Sequence, residues 1–371
     1  MDNTNPLVSI CIPTFNRAQM VLRAIESCIN QTYKNIEIVV SDSASADNTR
    51  EVVLNYANRD SRIKYFRNET NIGSGRNFLE CAKSATGYFI QALGDDDWLS
   101  RNYVEEGVKN FIVNPQTAAV LTNIITLESL EGGVQFCFLD EILLDSGKYS
   151  VDWFFRNIYL GKPGGAGFIS LLRRSDFIEA MEIILNDPVN LFPRDNRSEP
   201  FDMPIFLEVL AKYDYYIFTK ESAYIKIIHG KDQVGLQGEA FKSQAGLIRY
   251  ETAVCKSYES FYLRHGFKKH FRQLRFFKGL SILANGLLFF FKKCFIKKEK
   301  GEYFSAVKNY FKDYSKREKL LIIVSITPYA FFKIANRFLN FFARKPVFVP
   351  SPNYFLTDAF VFKTGLISKK V

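Results

Sequence analysis

The sequence predicts an α/β protein, a mostly parallel sheet flanked by helices, followed by a basic helical tail. Three observations carry this expectation. Through residue 125, short runs rich in Val and Ile alternate with segments of helical spacing, joined by short connections. Polar and acidic residues gather just after the apolar runs, where an open parallel sheet binds its ligands. Charge is also lopsided: of a net +10, residues 256–371 carry +18 (24 Lys and Arg against 6 Asp and Glu), which leaves −8 for residues 1–255.

The elements follow in order. Val8–Ile12 is a short apolar run and reads as the first strand. Val21, Leu22, Ile25, Cys28 and Ile29 keep a helical stripe, and Ile36–Ser41 returns to a strand. A helix starting at Asp47 or Asn48 leads to the strand Ile63–Phe66, a helix over Gly75–Ser84 to the strand Tyr88–Leu93, and a helix over Asn102–Val113 to the strand Ala118–Ile124. From 126 to 255 the signals are less regular. Gly161, Gly164, Gly165 and Gly167 form either a close-approach loop or a flexible turn; Phe201–Ala211 has helical spacing; Tyr215–Phe218 and Ala223–Ile228 read as strands.

Composition narrows the class. At 371 residues, 47% hydrophobic and 24% charged, the chain buries a sizeable core and is not a disordered one. Its six cysteines lack CxxC spacing and fall mostly in apolar runs, as in a protein kept in a reducing cytosol. Met1–Pro6 is short and polar, so no secretory leader is expected.

The tail is a different material. Leu274, Phe277, Ala284, Leu287, Leu288 and Phe291 form one helical stripe and Phe304, Val307, Phe311 and Tyr314 another, with Lys and Arg between. Its longest uncharged runs, Gly279–Phe291 and Leu320–Phe332, are 13 residues each, short of the ~20 that span a bilayer. The expectation is a basic amphipathic region lying on an anionic membrane surface, or else packing its stripes against the domain. No nucleic-acid module accompanies the charge, so no nucleic-acid partner is expected.

The stretch Leu93-Gly94-Asp95-Asp96-Asp97-Trp98 carries the chemistry. Three adjacent carboxylates at a strand end repel one another and raise each other's pKa unless cations or donors neutralise them. Hard oxygen ligands at that density suit Mn²⁺ or Mg²⁺, which such sites hold together with substrate phosphates. The alternative is a solvated acidic turn.

Four pieces in fixed order resemble the glycosyltransferase family 2 enzymes, inverting sugar-nucleotide transferases with the GT-A fold. They are Val8–Arg17 (VSICIPTFNR), Glu37–Thr49 (EIVVSDSASADNT), Asn71-Ile72-Gly73 with Arg76-Asn77, and the aspartate triplet; the resemblance covers about residues 6–230. With the charge step after residue 255, the expectation is a GT-A domain over 1–255, with a nucleotide-binding half (6–125) and an acceptor half (126–255), ahead of the tail at 256–371. The resemblance implies that Pro13, Thr14, Phe15 and Asn16 wall the nucleobase pocket, that Arg17 lies near the phosphates, and that Asp42 accepts the imide N–H of uracil. Asn71, Gly73 and Arg76 would border the nucleotide. Gly94 stands where the commonest motif has its first aspartate. The resemblance therefore leaves open which carboxylate serves ribose and which the metal; metal is expected at Asp96 or Asp97 and ribose at a neighbour such as Asp95. The base for the attacking hydroxyl would be Asp202, with Glu199 second, at a helix start that keeps a carboxylate ionised. His229 would reach the metal or the diphosphate.

The implied activity is metal-dependent transfer of a sugar from a nucleotide-diphosphate donor, UDP-linked, to a saccharide or lipid-linked saccharide of surface polysaccharide or lipopolysaccharide assembly. The protein would be cytoplasmic and peripheral on the inner face of the membrane. A nucleotide-sugar hydrolase and a catalytically inactive membrane-bound scaffold are the alternatives.

Overall fold

The structure, a computed structural model, describes residues 5–129, 135–140, 144–157, 170–187, 202–228 and 258–267, with scattered positions between 256 and 349. Four parallel strands form its centre: β1 (Val8–Thr14), β2 (Ile36–Asp42), β3 (Ile63–Arg67) and β4 (Phe89–Ala92), in the order β4-β1-β2-β3. Every residue of β1 and β2 is buried, which is why both carry Val and Ile on either face. Their register pairs Val8 with Ile36 and Thr14 with Asp42, so the strands end side by side.

The crossover helices cover the faces of this sheet. In α1 (Ala18–Ile29) the buried residues Val21, Ala24, Ile25 and Cys28 recur every three or four positions. α2 (Thr49–Ala57) packs on α1 and β3, while α3 (Ser74–Ser84) packs on β1 and β2 through Phe78, Leu79, Cys81 and Ala82. A two-residue strand, β5 (Trp98–Leu99), and α4 (Tyr103–Val113) follow the acidic turn.

β6 (Val120–Ser129), β7 (Gln135–Asp140), β8 (Gly147–Ser150), α5 (Val151–Asn157), β9 (Ser170–Arg173), α6 (Arg174–Leu185), α7 (Asp202–Leu210) and β10 (Tyr215–Ile228) complete the domain. β9 runs antiparallel between β4 and β6 and joins the two halves into one sheet. The two strands expected within 215–228 are one 14-residue strand. Its ladder with β6 shifts register between Thr219 and Ala223, leaving the polar residues Lys220, Glu221 and Ser222 out of the pairing, and this bulge gives the sequence its interrupted look. At the far edge β11 (Val347–Val349) pairs with β7.

The start of the expected tail belongs to the core. Phe261 and Tyr262 are buried against Phe155 and Phe267. Arg264 pairs with both Asp187 and Glu208, and His265 lies 2.8 Å from Glu208. The domain therefore reaches at least residue 267, past the boundary read from charge alone. Most of 268–371 lies outside the described residues, as does the glycine cluster at 161–167.

One polar cluster braces the end of the sheet opposite the site. Glu37, 3% exposed, accepts hydrogen bonds from Ser9 Oγ, Lys64 Nζ, Thr86 N and Oγ1, and Gly87 N. Burial alone would raise its pKa, but the Lys64 ammonium and the hydroxyl and amide donors hold it down to about 2, below its ordinary 4.5. A depressed folded-state pKa means stability present above 4.5 and lost as pH falls through about 2. Glu37→Gln should therefore lower the denaturation midpoint at pH 7 and flatten its pH dependence between 4.5 and 2. An unchanged acid limb in urea titrations would rule this out.

Candidate functional site

The ends of β1 and β2 are stitched together by their loops. Ser43 N–H donates to Thr14 O at 2.9 Å. Asn16 N–H donates to Ser45 Oγ at 2.8 Å, and Asn16 Oδ1 accepts from Ala46 N–H at 2.7 Å. These bonds hold Asn16 at φ 53°, a left-handed conformation that Asn tolerates. Ala44, at φ 63°, tolerates it less well, and the strain, about 1 kcal/mol, is offset by the turn around Asp42. The buried Asp42 carboxylate accepts Ser45 N–H and Oγ–H at 2.8 and 2.6 Å and Tyr65 Oη–H at 2.6 Å, with Arg67 Nε at 3.8 Å.

The third crossover is tied to the same place. Asn71 Oδ1 accepts Ser43 Oγ–H at 3.1 Å and Gly73 N–H at 3.0 Å, and Gly73 adopts φ 81°, which favours glycine. Asn77, 2% exposed, accepts from Ser41 Oγ and donates from Nδ2 to Ser41 O and Thr14 O, clasping α3 to both strand ends. Arg76 is exposed and lines a groove of about 300 Å³ between α3 and the end of α6, with Asn68, Glu80 and Asn186; none of the three aspartates lines it. Pro13 is buried in β1, and Phe15 is exposed beside it.

The three aspartates have unlike partners. Asp95 accepts Thr14 Oγ1–H at 2.8 Å and Arg17 Nη1–H at 2.9 Å. The same Arg17 nitrogen lies 3.1 Å from Asp96 Oδ2, so the guanidinium bridges the two carboxylates. Asp96 is the more open of the pair, 25% exposed in its side chain against 8% for Asp95. Asp97 accepts Tyr224 Oη–H at 2.7 Å and the backbone N–H of Ile227 at 2.9 Å, both from β10. Burial first, and repulsion from Asp96, push Asp97 up to about 7; burial also pushes Asp95 up to about 6, against the pull of Arg17.

Gly94 has a steric reason. A Cβ there would lie 2.9 Å from Asp97 Oδ2 and 3.0 Å from Asp96 Oδ1, so a side chain at this position would push both carboxylates aside. Trp98 is buried at 4% exposure in β5.

Asp202 opens α7, at the helix start expected for the base; the helix beyond it is buried through Met203, Ile205, Phe206, Leu207, Val209 and Leu210. Glu199 and His229 lie outside the described residues. Among the described residues no three His, Cys, Asp or Glu side chains converge as a ready metal cage. Sequence reading missed two contributors: Asn77, whose motif it noted without a role, and Tyr224, an ordinary strand tyrosine until its partner is seen.

The family match falls on this half of the chain, and other similarities extend well beyond it. A family model described as glycosyl transferase family 2 matches residues 9–135. The GalNAc(5)-diNAcBac-PP-undecaprenol β-1,3-glucosyltransferase of Campylobacter jejuni is 43% identical over 95 residues, 25% of this chain and 31% of that one. An uncharacterized glycosyltransferase of Haemophilus influenzae is 26% identical over 274 residues, 71% of this chain and 98% of the relative. The chain thus spans less than a third of the first relative and nearly all of the second. The crystal structure of S. aureus TarS 1–349 in complex with UDP-GlcNAc shares the fold with TM-score 0.60 and 18% identity, over 90% of this chain and 89% of that one.

Proposed function

We propose that this chain, whose residues 9–135 form a glycosyl transferase family 2 domain within a GT-A fold, is an inverting glycosyltransferase. It moves a sugar from a UDP-linked donor to a lipid-linked saccharide in surface polysaccharide assembly. The observation that carries the reading is the turn Gly94–Asp97. It brings three carboxylates and Arg17 to the ends of β1 and β4, beside the loops that the family resemblance gives to the nucleotide. The similarity to an undecaprenol-diphosphate-dependent glucosyltransferase supports the acceptor class, and the likeness to a UDP-GlcNAc complex supports the donor.

The residues present fit a divalent cation. The donors are hard carboxylate oxygens, and the guanidinium between Asp95 and Asp96 marks where positive charge is already favoured. Asp96, with Asp95 or Asp97, would hold Mn²⁺ or Mg²⁺, which when bound neutralises the charge developing on the departing diphosphate. Arg17, now on Asp95 and Asp96, would turn from these carboxylates toward the diphosphate of a bound donor. Asp202 takes the proton of the acceptor hydroxyl as its oxygen bonds to the anomeric carbon; the bond from that carbon to the diphosphate oxygen breaks on the opposite face, and configuration inverts. The test is incubation with UDP-sugars and an undecaprenyl-diphosphate-linked saccharide. Extension of the lipid-linked glycan is expected, while free sugar released at full rate without acceptor would indicate a hydrolase.

No described helix is long and apolar enough to cross a membrane. The basic residues beyond 267 support a peripheral association with anionic lipid on the cytoplasmic face. Replacing Lys292, Lys293, Lys297 and Lys298 by Gln in the full chain should weaken sedimentation with phosphatidylglycerol vesicles and make the remainder less salt-sensitive. Equal binding by this variant would exclude the electrostatic contribution. Cutting after residue 255 is the wrong test, because it would strip Phe261 and Tyr262 from the core.

A further inference from the structure

We infer that Tyr224 is a positioning residue of the donor site: its hydroxyl fixes the Gly94–Asp97 turn in the shape that holds the Asp96 carboxylate on the solvent side of the turn. The inference rests on the proposed function and deepens it. Tyr224 lies on β10, 127 residues from Asp97 in sequence, and its ring is 3% exposed. The hydroxyl makes two hydrogen bonds to the turn, donating to Asp97 Oδ2 at 2.7 Å and accepting Gly94 N–H at 3.2 Å. It thus grips the first and last residues of the turn at once.

Two further contacts point the same way. Asp97 Oδ1 accepts Ile227 N–H at 2.9 Å, so both of its oxygens are held by β10. The backbone closes the turn with Asp97 N–H donating to Gly94 O at 3.1 Å. Gly94 is the complementary half of the device: the space a Cβ would fill lies between the Asp96 and Asp97 carboxylates. Held this way, Asp97 is an anchor whose oxygens are directed at β10, and Asp96, 25% exposed, is the carboxylate placed to turn toward a cation. Outer-shell partners that orient ligating carboxylates generally alter metal affinity by about 10- to 100-fold when removed.

Tyr224→Phe keeps the ring and removes only the hydroxyl. In calorimetric titrations of the full chain with UDP, the variant should lose about 10-fold or more in affinity when Mn²⁺ is present and change little in EDTA. Gly94→Ala, which crowds the same carboxylates while keeping the Tyr224 hydroxyl, should give the same split. A thermal midpoint measured in EDTA reads folding separately for each variant. Equal losses with and without Mn²⁺ would make Tyr224 merely structural, and unchanged affinity in both conditions would also overturn the inference. If the wild type itself bound UDP equally in Mn²⁺ and EDTA, the metal reading would fall and this inference with it, which separates the two failures.

Discussion

Asp202→Asn is expected to lower sugar transfer by roughly 10²- to 10⁴-fold, the usual contribution of a positioned general base, while UDP affinity in the presence of Mn²⁺ stays that of the wild type. The expectation follows from its place. Asp202 opens α7, where the helix N-terminus favours an ionised carboxylate. It lies in the half of the chain proposed to take the acceptor. The helix behind it is anchored hard: six of its apolar side chains are buried, and Glu208 is clamped by Arg264 and His265 from the chain's C-terminal region. A substitution of one oxygen by nitrogen at its start should therefore leave the fold intact. Turnover near the wild-type rate would remove the base assignment, and loss of UDP binding along with turnover would place Asp202 on the donor side instead.

Arg17→Met is expected to act on stability and on donor binding at once. Its guanidinium is the counter-charge of Asp95, whose side chain is 8% exposed, and it also touches Asp96. Removing one partner of a buried pair costs about 3–5 kcal/mol; Arg17 is itself 28% exposed, so roughly 2 kcal/mol is the better expectation after solvent screening. The destabilisation should be largest in EDTA and smaller with Mn²⁺, because a cation can take over the neutralising charge. Affinity for UDP should fall in either condition, since Arg17 is also the proposed diphosphate contact. Guanidinium denaturation with and without Mn²⁺ checks the first part; a variant as stable as the wild type in EDTA would show that Asp95 does not depend on Arg17.

Much of this fold is legible in the sequence, for identifiable reasons. β1 to β4 and α1 to α4 appear where expected because the central strands are buried on both faces and the helices bury one stripe each. Where the reading differs, local pattern is overridden by distant partners. β5 is two residues long and forms by pairing with Tyr224 and Ile225, which no window of sequence announces. The bulge at 219–223 splits one strand into two apparent ones. The charge step near residue 255 marks a change of surface, not of packing, since Phe261 and Tyr262 continue the core. The candidate site shows the same division. Its residue types are visible in the triplet, in Asp42 and in the Asn71–Asn77 stretch. The different tasks of the three aspartates are not, because they are set by Arg17, 78 residues from Asp95, and by Tyr224, 127 residues from Asp97.

The most direct measurement is a thermal-shift series of the full chain with UDP-, GDP-, CDP- and dTDP-sugars, each in Mn²⁺ and in EDTA. Stabilisation by the UDP-sugars that depends on Mn²⁺ and disappears in Asp96→Ala is the predicted result. Stabilisation by no nucleotide sugar, or by UDP-sugars equally in EDTA and in Asp96→Ala, would contradict a cation-holding role for the Asp95–Asp97 turn.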